Sequence, residues 1–491
     1  MSANGGVSGD GGVRAALALI CLLALVGCSS AESPQTPPPA DPARELADKV
    51  TVDGIYAHLE KLEDISTANG NSRSEGTPGF DASVDYVAGV LRDNGFDVTT
   101  PEFERIALAQ PGRPTLVAAG RSFPVDQASL LLNTAPGGLN ALTLRPQRAP
   151  GCSAADYGSV NVRGAIAVVD DTGCSVVDKA EVAVGRGAVG VLVVSDPGAN
   201  GSPAGLFTPG YYEHLSTPVA VIDETADAQL RRTNSPVRLT LDAKSTKVKS
   251  RSVVAQTKTG DSHNVVLVGA HLDSVPRSPG LNDNGSGVAA VLETAVQLGS
   301  SPSTANAVRF AFWGSQAAGL AGSTKYVAGL DRAGLDDIAL YLDFDTIGST
   351  NAGYFTYDGD QSGQPNPQVP ASTVPKGSAG IERTLAGYLN LAGIRPAEMP
   401  LGQATDYSAF LSAGVPFGGF TTGSTQRKSE AQARLWGGRA GLAMDPNHHT
   451  PRDTIVNVDR DVLSITGPGV AFAVGTYANS TVGPNGVPAR G

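Results

Sequence analysis

The sequence predicts an α/β fold: a three-layer sandwich around a mostly parallel mixed sheet, interrupted by a small inserted α+β, β-rich domain. Three observations predict it. First, VVLVGAH (265–271), AVRFAFW (307–313) and IALYLDFD (338–345) are continuous apolar runs, the composition of strands buried on both faces. Second, helical segments separate them, from Gly285 to Leu298 and from Leu320 to Leu330. Strand–helix–strand alternation of this kind builds a parallel or mixed sheet with helices on both faces. Third, residues 109–249 have another texture, with short Val-rich strands such as AIAVVD and GVLVVSD cut by Gly, Asp and Pro.

In chain order, residues 15–27 read AALALICLLALVG behind Arg14. This apolar run is too short to span a membrane and has the length of a signal-peptide core. It ends in Leu25-Val26-Gly27-Cys28, a bacterial lipobox in which Cys28 is the lipid-attachment site. The alternative is ordinary cleavage beside a chance cysteine. Residues 1–28 are thus a lipoprotein signal, and the Ser/Pro-rich stretch 29–42 an extended tether. The expected localisation is the outer face of the cell membrane, held by the lipid on Cys28.

From Pro78 to Asn94, Val84, Val87 and Leu91 share one helical face, and Gly95 ends the helix. FDVTTPEFERIAL reads as a strand. Within the insert, Val177 to Gly185 reads as a helix. Once the signal and lipid sites are set aside, Cys152 and Cys174 are the remaining cysteines. In an oxidising compartment two such residues pair, free buried thiols being the alternative. The body is expected at 43–108 and 250–478, the insert at 109–249, and a disordered tail at 479–491. No internal repeat is present.

Composition narrows the function. Charged residues are only 17% and Gly reaches 60 of 491, which favours a loop-rich exported protein. The net charge is −11, and phosphate contacts dominate nucleic-acid affinity, so no nucleic-acid partner is expected. Lys244, Lys247, Lys249 and Arg251 read as a solvated strand face.

Potential metal ligands concentrate in two passages, AHLDSVPRSPGLNDNGSGVAAVLE and DPNHHTPRDT. His271 ends a buried strand, Asp283 sits in a turn that opens a helix, and Asp345 ends another strand. Strand C-termini line the ligand crevice of such sheets, and Trp313 is expected there too. Zinc takes His and carboxylate ligands, and two metals need a bridging carboxylate. Asp283 suits the bridge, with His271 and Asp345 on one metal and His449 on the other. Asp273 is placed to hold the His271 imidazole from behind.

GAHLDSV, GLNDNGSGVAAVLE, RFAFWG…GLAGS, YLDFDTIGS and DPNHHTPRDT together resemble the co-catalytic zinc aminopeptidase family, aminopeptidase Y type. The likeness runs from about Val50 to Ala478. RGAIAVVDDTGCSVVDKAEVAVGRGAVGVLVVS resembles a protease-associated domain. With the lipobox, the chain is similar to actinobacterial lipoprotein aminopeptidases. The resemblance implies peptides with a free N-terminus as partners, and zinc on His271, Asp283 and Asp345, with Asp283 and His449 on a second ion.

It also implies a Glu-Glu pair after Trp-Gly and one further residue, the first a general base and the second a ligand of the second zinc. Here Gln316-Ala317 stand in their place. Gln316 can hydrogen-bond a water but cannot accept its proton. Ala317 leaves a degenerate metal position, so one zinc is expected, or two if the second site survives. His448 replaces a Tyr that the resemblance implies, and Ala404-Thr405-Asp406 replace Arg-Ser-Asp. Asp343 or His448 could supply a substitute base or ligand. Three readings follow: an aminopeptidase using an altered base, a pseudoenzyme that binds metal and peptide, and an adaptor whose insert meets a protein partner. Retention of His271, Asp283, Asp345 and His449 favours the first two. Loss of both carboxylates favours the second.

Overall fold

The computed structural model describes residues 41–110, 112–195, 213–364, 366, 369–402 and 405–488. The signal segment, Cys28 and nearly all of the tether lie outside the described residues. Among the described residues no helix is long and apolar enough to cross a membrane.

The body is a mixed sheet of eight strands. In chain order they are β1 (Asp97–Thr99), β2 (Val253–Gln256), β3 (Asp261–His271), β4 (Asn306–Trp313), β5 (Ile338–Phe344), β6 (Phe355–Tyr357), β7 (Ala397–Met399) and β8 (Phe417–Thr421). Their spatial order is β1-β2-β4-β3-β5-β8-β6-β7. The central four, β4, β3, β5 and β8, run parallel. The short edge strands include the antiparallel pairs.

Strand alternation sends side chains to two separate cores. Val266, Val268, Ala270, Leu340 and Leu342 pack under the helices Val52–Ala68, Pro78–Asp93, Gly287–Leu298 and Arg460–Asn479. Leu267, Trp313 and Tyr341 face the other way, against Tyr326, Val327, Phe410 and Leu411. Each fully buried Val, Leu or Phe contributes about 1.5–3 kcal/mol, so the sheet is stabilised from both sides. The layers are therefore helix, sheet, helix.

Several expectations need correction. The stretch read as one strand from residue 96 breaks at Pro101, which has no N–H to give a ladder. Its first part is β1 in the main sheet; its second, Glu102–Gln110, pairs antiparallel with Lys244–Arg251 in a separate two-stranded ribbon. On that ribbon the basic run is the exposed strand face expected, with Lys247 meeting Glu104 and Arg251 meeting Asp81 and Asp85. Trp313 is not in the crevice. It is fully buried, and its Nε1 donates to the Tyr341 hydroxyl at 2.9 Å.

The tether expected through residue 42 gives way to a helix, Pro42–Lys49, whose N-cap Asp41 accepts from the Ala43 amide at 3.2 Å. The tail expected to be disordered packs as far as residue 488. Val487 is 6% exposed and joins the main core, and its N–H reaches Thr481 O at 2.8 Å. An apolar side chain with a gap to fill outweighs the Gly, Asn and Pro around it. Residues 489–491 lie outside the described residues.

Between the ribbon strands, a five-stranded and a four-stranded sheet share one core, where Ile166, Val168 and Leu192 meet Leu116, Phe123 and Leu239, and the outer face of the five-stranded sheet carries a second. The helix Val176–Gly185 packs on the five-stranded sheet through Val176, Ala180 and Ala183. Cys152 and Cys174 form a disulfide with Cα atoms 5.8 Å apart.

Candidate metal centre

The C-terminal ends of β3 and β5 converge on the loop Leu281–Ser286, which precedes the helix Gly287–Leu298. Asn284 ties that loop to β5. Its Nδ2 donates to Phe344 O at 2.8 Å, and its Oδ1 accepts from the Thr346 amide at 3.0 Å. The approach requires Gly287, because a Cβ there would lie 2.3 Å from Phe344 O. Asp283 and Asp345 are thereby brought to the same place.

Two buried polar residues complete the frame, and neither stood out in the sequence. The fully buried Arg73 guanidinium donates to Leu272 O at 2.7 Å, Pro279 O at 2.9 Å and Gly280 O at 2.6 Å. It clamps the end of β3 to the Asp283 loop. Burial pushes this guanidinium down to about 10, against the pull of Asp453, Asp273 and Asp283. Asp453 accepts from the amides of Asn282 at 2.7 Å and Asp283 at 3.1 Å, fastening the loop that carries His448 and His449.

His271 Nδ1 lies 3.0 Å from the main-chain oxygen of Asp273. That bond requires the proton on Nδ1 and leaves a lone pair on Nε2. Nε2 faces Asp283 Oδ1 at 3.2 Å and Asp345 Oδ1 at 3.6 Å, yet it is buried without a hydrogen bond. Three acceptors that meet out of hydrogen-bond alignment need a cation between them. Ligands of a tetrahedral ion bound at 2.0–2.1 Å are separated by about 3.3 Å. The observed spacings bracket that value, so the donor set fits zinc.

Without an ion, the electrostatics favour a positive charge at this point, a proton on His271 taking the place a cation would fill. Burial lowers the pKa of His271, but Asp345 and Asp283 overcome it and hold it well above its ordinary value. Burial raises that of Asp283, but His271 and His449 outweigh it and hold it well below the usual carboxylate range.

Asp283 is shared. Its other oxygen, Oδ2, lies 3.0 Å from His449 Nε2 and 3.3 Å from His448 Nδ1. The residues therefore fall into two candidate ligand groups, His271–Asp283–Asp345 and Asp283–His448–His449.

Asp273 departs from its expected placement. Its carboxylate is 3.9 Å from the imidazole and instead accepts from the amides of Gln316 at 2.9 Å and Ala317 at 3.1 Å. The main-chain carbonyl of Asp273 takes the imidazole, because two converging amides bind a buried carboxylate better than one ring N–H. Ala317 is exposed and Gln316 half-buried. Asp343 is committed elsewhere, accepting from Thr405 Oγ1 at 2.7 Å, the Tyr407 amide at 3.0 Å and the Tyr341 hydroxyl at 3.1 Å. Burial pushes its carboxyl up to about 6. Phe417 and Phe420 are core. Ala404 lies outside the described residues.

Comparison with known proteins places this geometry. The profile of peptidase family M28 matches residues 252–474, and that of the PA domain residues 140–230. The "Probable lipoprotein aminopeptidase LpqL" of Mycobacterium tuberculosis is 47% identical over 463 residues, 92% of this chain and 90% of that protein. An aminopeptidase of Pseudomonas aeruginosa is 37% identical over 87% of this chain and 81% of its own length. Among solved structures, an aminopeptidase from Aneurinibacillus sp. strain AM-1 superposes with a TM-score of 0.60 at 20% identity, covering 91% of this chain and 98% of that one. This last likeness shows the fold. With near-complete coverage at 47% identity and two profile matches in the right places, the chain belongs to peptidase family M28 and carries a PA domain.

Proposed function

We propose that this chain is an exported, lipid-anchored protein that holds zinc and the amino ends of peptides in one cleft, and hydrolyses those peptides slowly or not at all. The names of the relatives support an aminopeptidase cleft, and the name of the Mycobacterium tuberculosis relative supports the lipid on Cys28. The donor set His271, Asp283 and Asp345 supports zinc. Zinc bound there would polarise a scissile carbonyl as a Lewis acid.

One observation carries the weak-hydrolysis reading. The turn beside the metal centre offers an amide at Gln316 and a methyl at Ala317, and the neighbouring Asp273 carboxylate is occupied by their own backbone N–H groups. Gln316 can orient a water, but a proton leaving that water has no acceptor at this position. Losing a general base typically costs about 10²–10⁴-fold in rate.

The test is direct. Mature protein should contain zinc, one ion of which His271→Ala removes, and with zinc present should turn over leucine p-nitroanilide barely above the metal-free blank. Brisk, chelator-sensitive turnover by the unmodified protein would rule this reading out. Absence of bound zinc would remove its metal half. Replacing Cys28 with Ala should move the protein from the membrane fraction to the medium.

A further inference from the structure

We infer that His448 is a ligand of a second metal ion and, with His449 and Asp283, replaces the ligand that Ala317 cannot supply. The inference rests on the zinc reading above through the shared Asp283.

Four observations carry it. His448 Nδ1 is buried and has no hydrogen bond, although Asp283 Oδ2 is 3.3 Å away. A ring nitrogen that close and unbonded repeats the situation of His271 Nε2 on the opposite side of the same carboxylate. His449 Nε2 lies 3.0 Å from the same oxygen. Both spacings match the edge of about 3.3 Å set by a tetrahedral ion with bonds of 2.0–2.1 Å. The three ligand atoms all lie within 4.8 Å of one another.

The backbone supplies the fourth. Adjacent residues in extended chain point to opposite sides. Here His449 adopts φ +59°, and both imidazoles turn to one side, stacked at 3.8 Å between centroids with 19° between planes. A left-handed conformation at a non-glycine residue costs about 1–3 kcal/mol and persists only where its surroundings impose it. Ring stacking alone leaves the buried His448 nitrogen unsatisfied; because each imidazole binds a metal through its in-plane lone pair, a shared cation would fan the two rings out of their parallel stack to satisfy both. Imidazole is a sound zinc ligand, and a neutral nitrogen at this position restores the three protein ligands that a zinc site needs.

Zinc stoichiometry, read by titrating chelator-stripped protein against a chromophoric competitor, tests this without an activity assay. Wild type should bind two zinc ions per chain. His448→Phe keeps an aromatic ring against His449 but removes the nitrogen, and should bind one, with the remaining ion lost on adding His271→Ala. Adding Ala317→Glu to His448→Phe should restore the second. The metal-free variants should melt within a few degrees of wild type, which excludes misfolding as the cause. Two ions in His448→Phe at wild-type affinity would overturn the inference. So would one ion in wild type that His448→Phe leaves unchanged, and in that outcome the His271 site still stands. No ion in wild type would overturn both readings.

Discussion

Gln316→Glu separates a missing proton acceptor from a damaged cleft. The structure makes it a clean perturbation, because position 316 is anchored through its main chain. The Gln316 amide reaches Asp273 Oδ1 at 2.9 Å, and its carbonyl accepts from the amides of Gly319 and Leu320, both at 3.0 Å. Exchanging an amide for a carboxylate of the same shape leaves those bonds in place. The gain should be that of a general base, about 10²–10⁴-fold, or ~2.7–5.4 kcal/mol of barrier at 1.36 kcal/mol per decade. Initial rates on leucine p-nitroanilide, with zinc present from pH 5 to 9, are the assay. The rise should fall on kcat, with KM changed little, because the groups that hold substrate are untouched. The variant should also gain an acid limb from protonation of the new carboxyl, beyond the loss of zinc on protonation of the histidine ligands that it shares with wild type. If zinc content equals that of wild type and the rate does not move, proton transfer is not what limits this site.

Three further substitutions test stability, one at the frame of the centre and two away from it. Arg73→Met leaves the Leu272 and Pro279 carbonyls unpaired in a buried setting, Gly280 O keeping its bond from the Gly285 amide, and removes charged hydrogen bonds worth about 1.5–3 kcal/mol each, so denaturant unfolding should show a loss of at least ~3 kcal/mol. Burial, with Asp360 and Asp358 nearby, pushes the Glu382 carboxyl up to about 7. The folded state then holds a proton that the unfolded chain has released, so wild-type stability falls as pH rises from the ordinary carboxylate range to about 7 and is level above it. Glu382→Gln should therefore gain about 1–2 kcal/mol over wild type across that window, after allowance for solvent screening; a pH-independent difference would be the contrary result. Replacing Cys152 and Cys174 together by Ser should cost ~3 kcal/mol, seen as an earlier thermal transition that reductant no longer shifts.

The parts of this molecule that the sequence makes readable share a physical cause. β3, β4 and β5 are buried on both faces, so their composition alone marks them. β1, β6 and β7 have three residues each, too few for any period to show. His271, Asp283 and Asp345 are visible because polar residues at the ends of apolar strands stand out. The partners that hold them are not. Arg73 lies in an irregular loop between helices and acts about 200 residues away in sequence, through carbonyls that leave no mark on composition. Asp453 sits within DPNHHTPRDT, but its role is to accept backbone amides, and nothing in a string of letters distinguishes that from a solvated turn. The carboxylate and carbonyl of Asp273 exchange roles for the same reason.

The ribbon of Glu102–Gln110 and Lys244–Arg251 has a consequence for the molecule's modularity. Gln110 stands opposite Lys244 in register, and the Arg105 guanidinium grips Glu75 of the body with Nε at 2.8 and 2.9 Å from its carboxylate oxygens. To the rest of the chain, everything from 111 to 243 is the loop of one long hairpin. The entropy of closing a loop grows only logarithmically with its length, so the sheet is nearly indifferent to what that hairpin carries. A tight Asn-Gly turn, or an unrelated fold with neighbouring ends, could be grafted at the same point with the main sheet left intact.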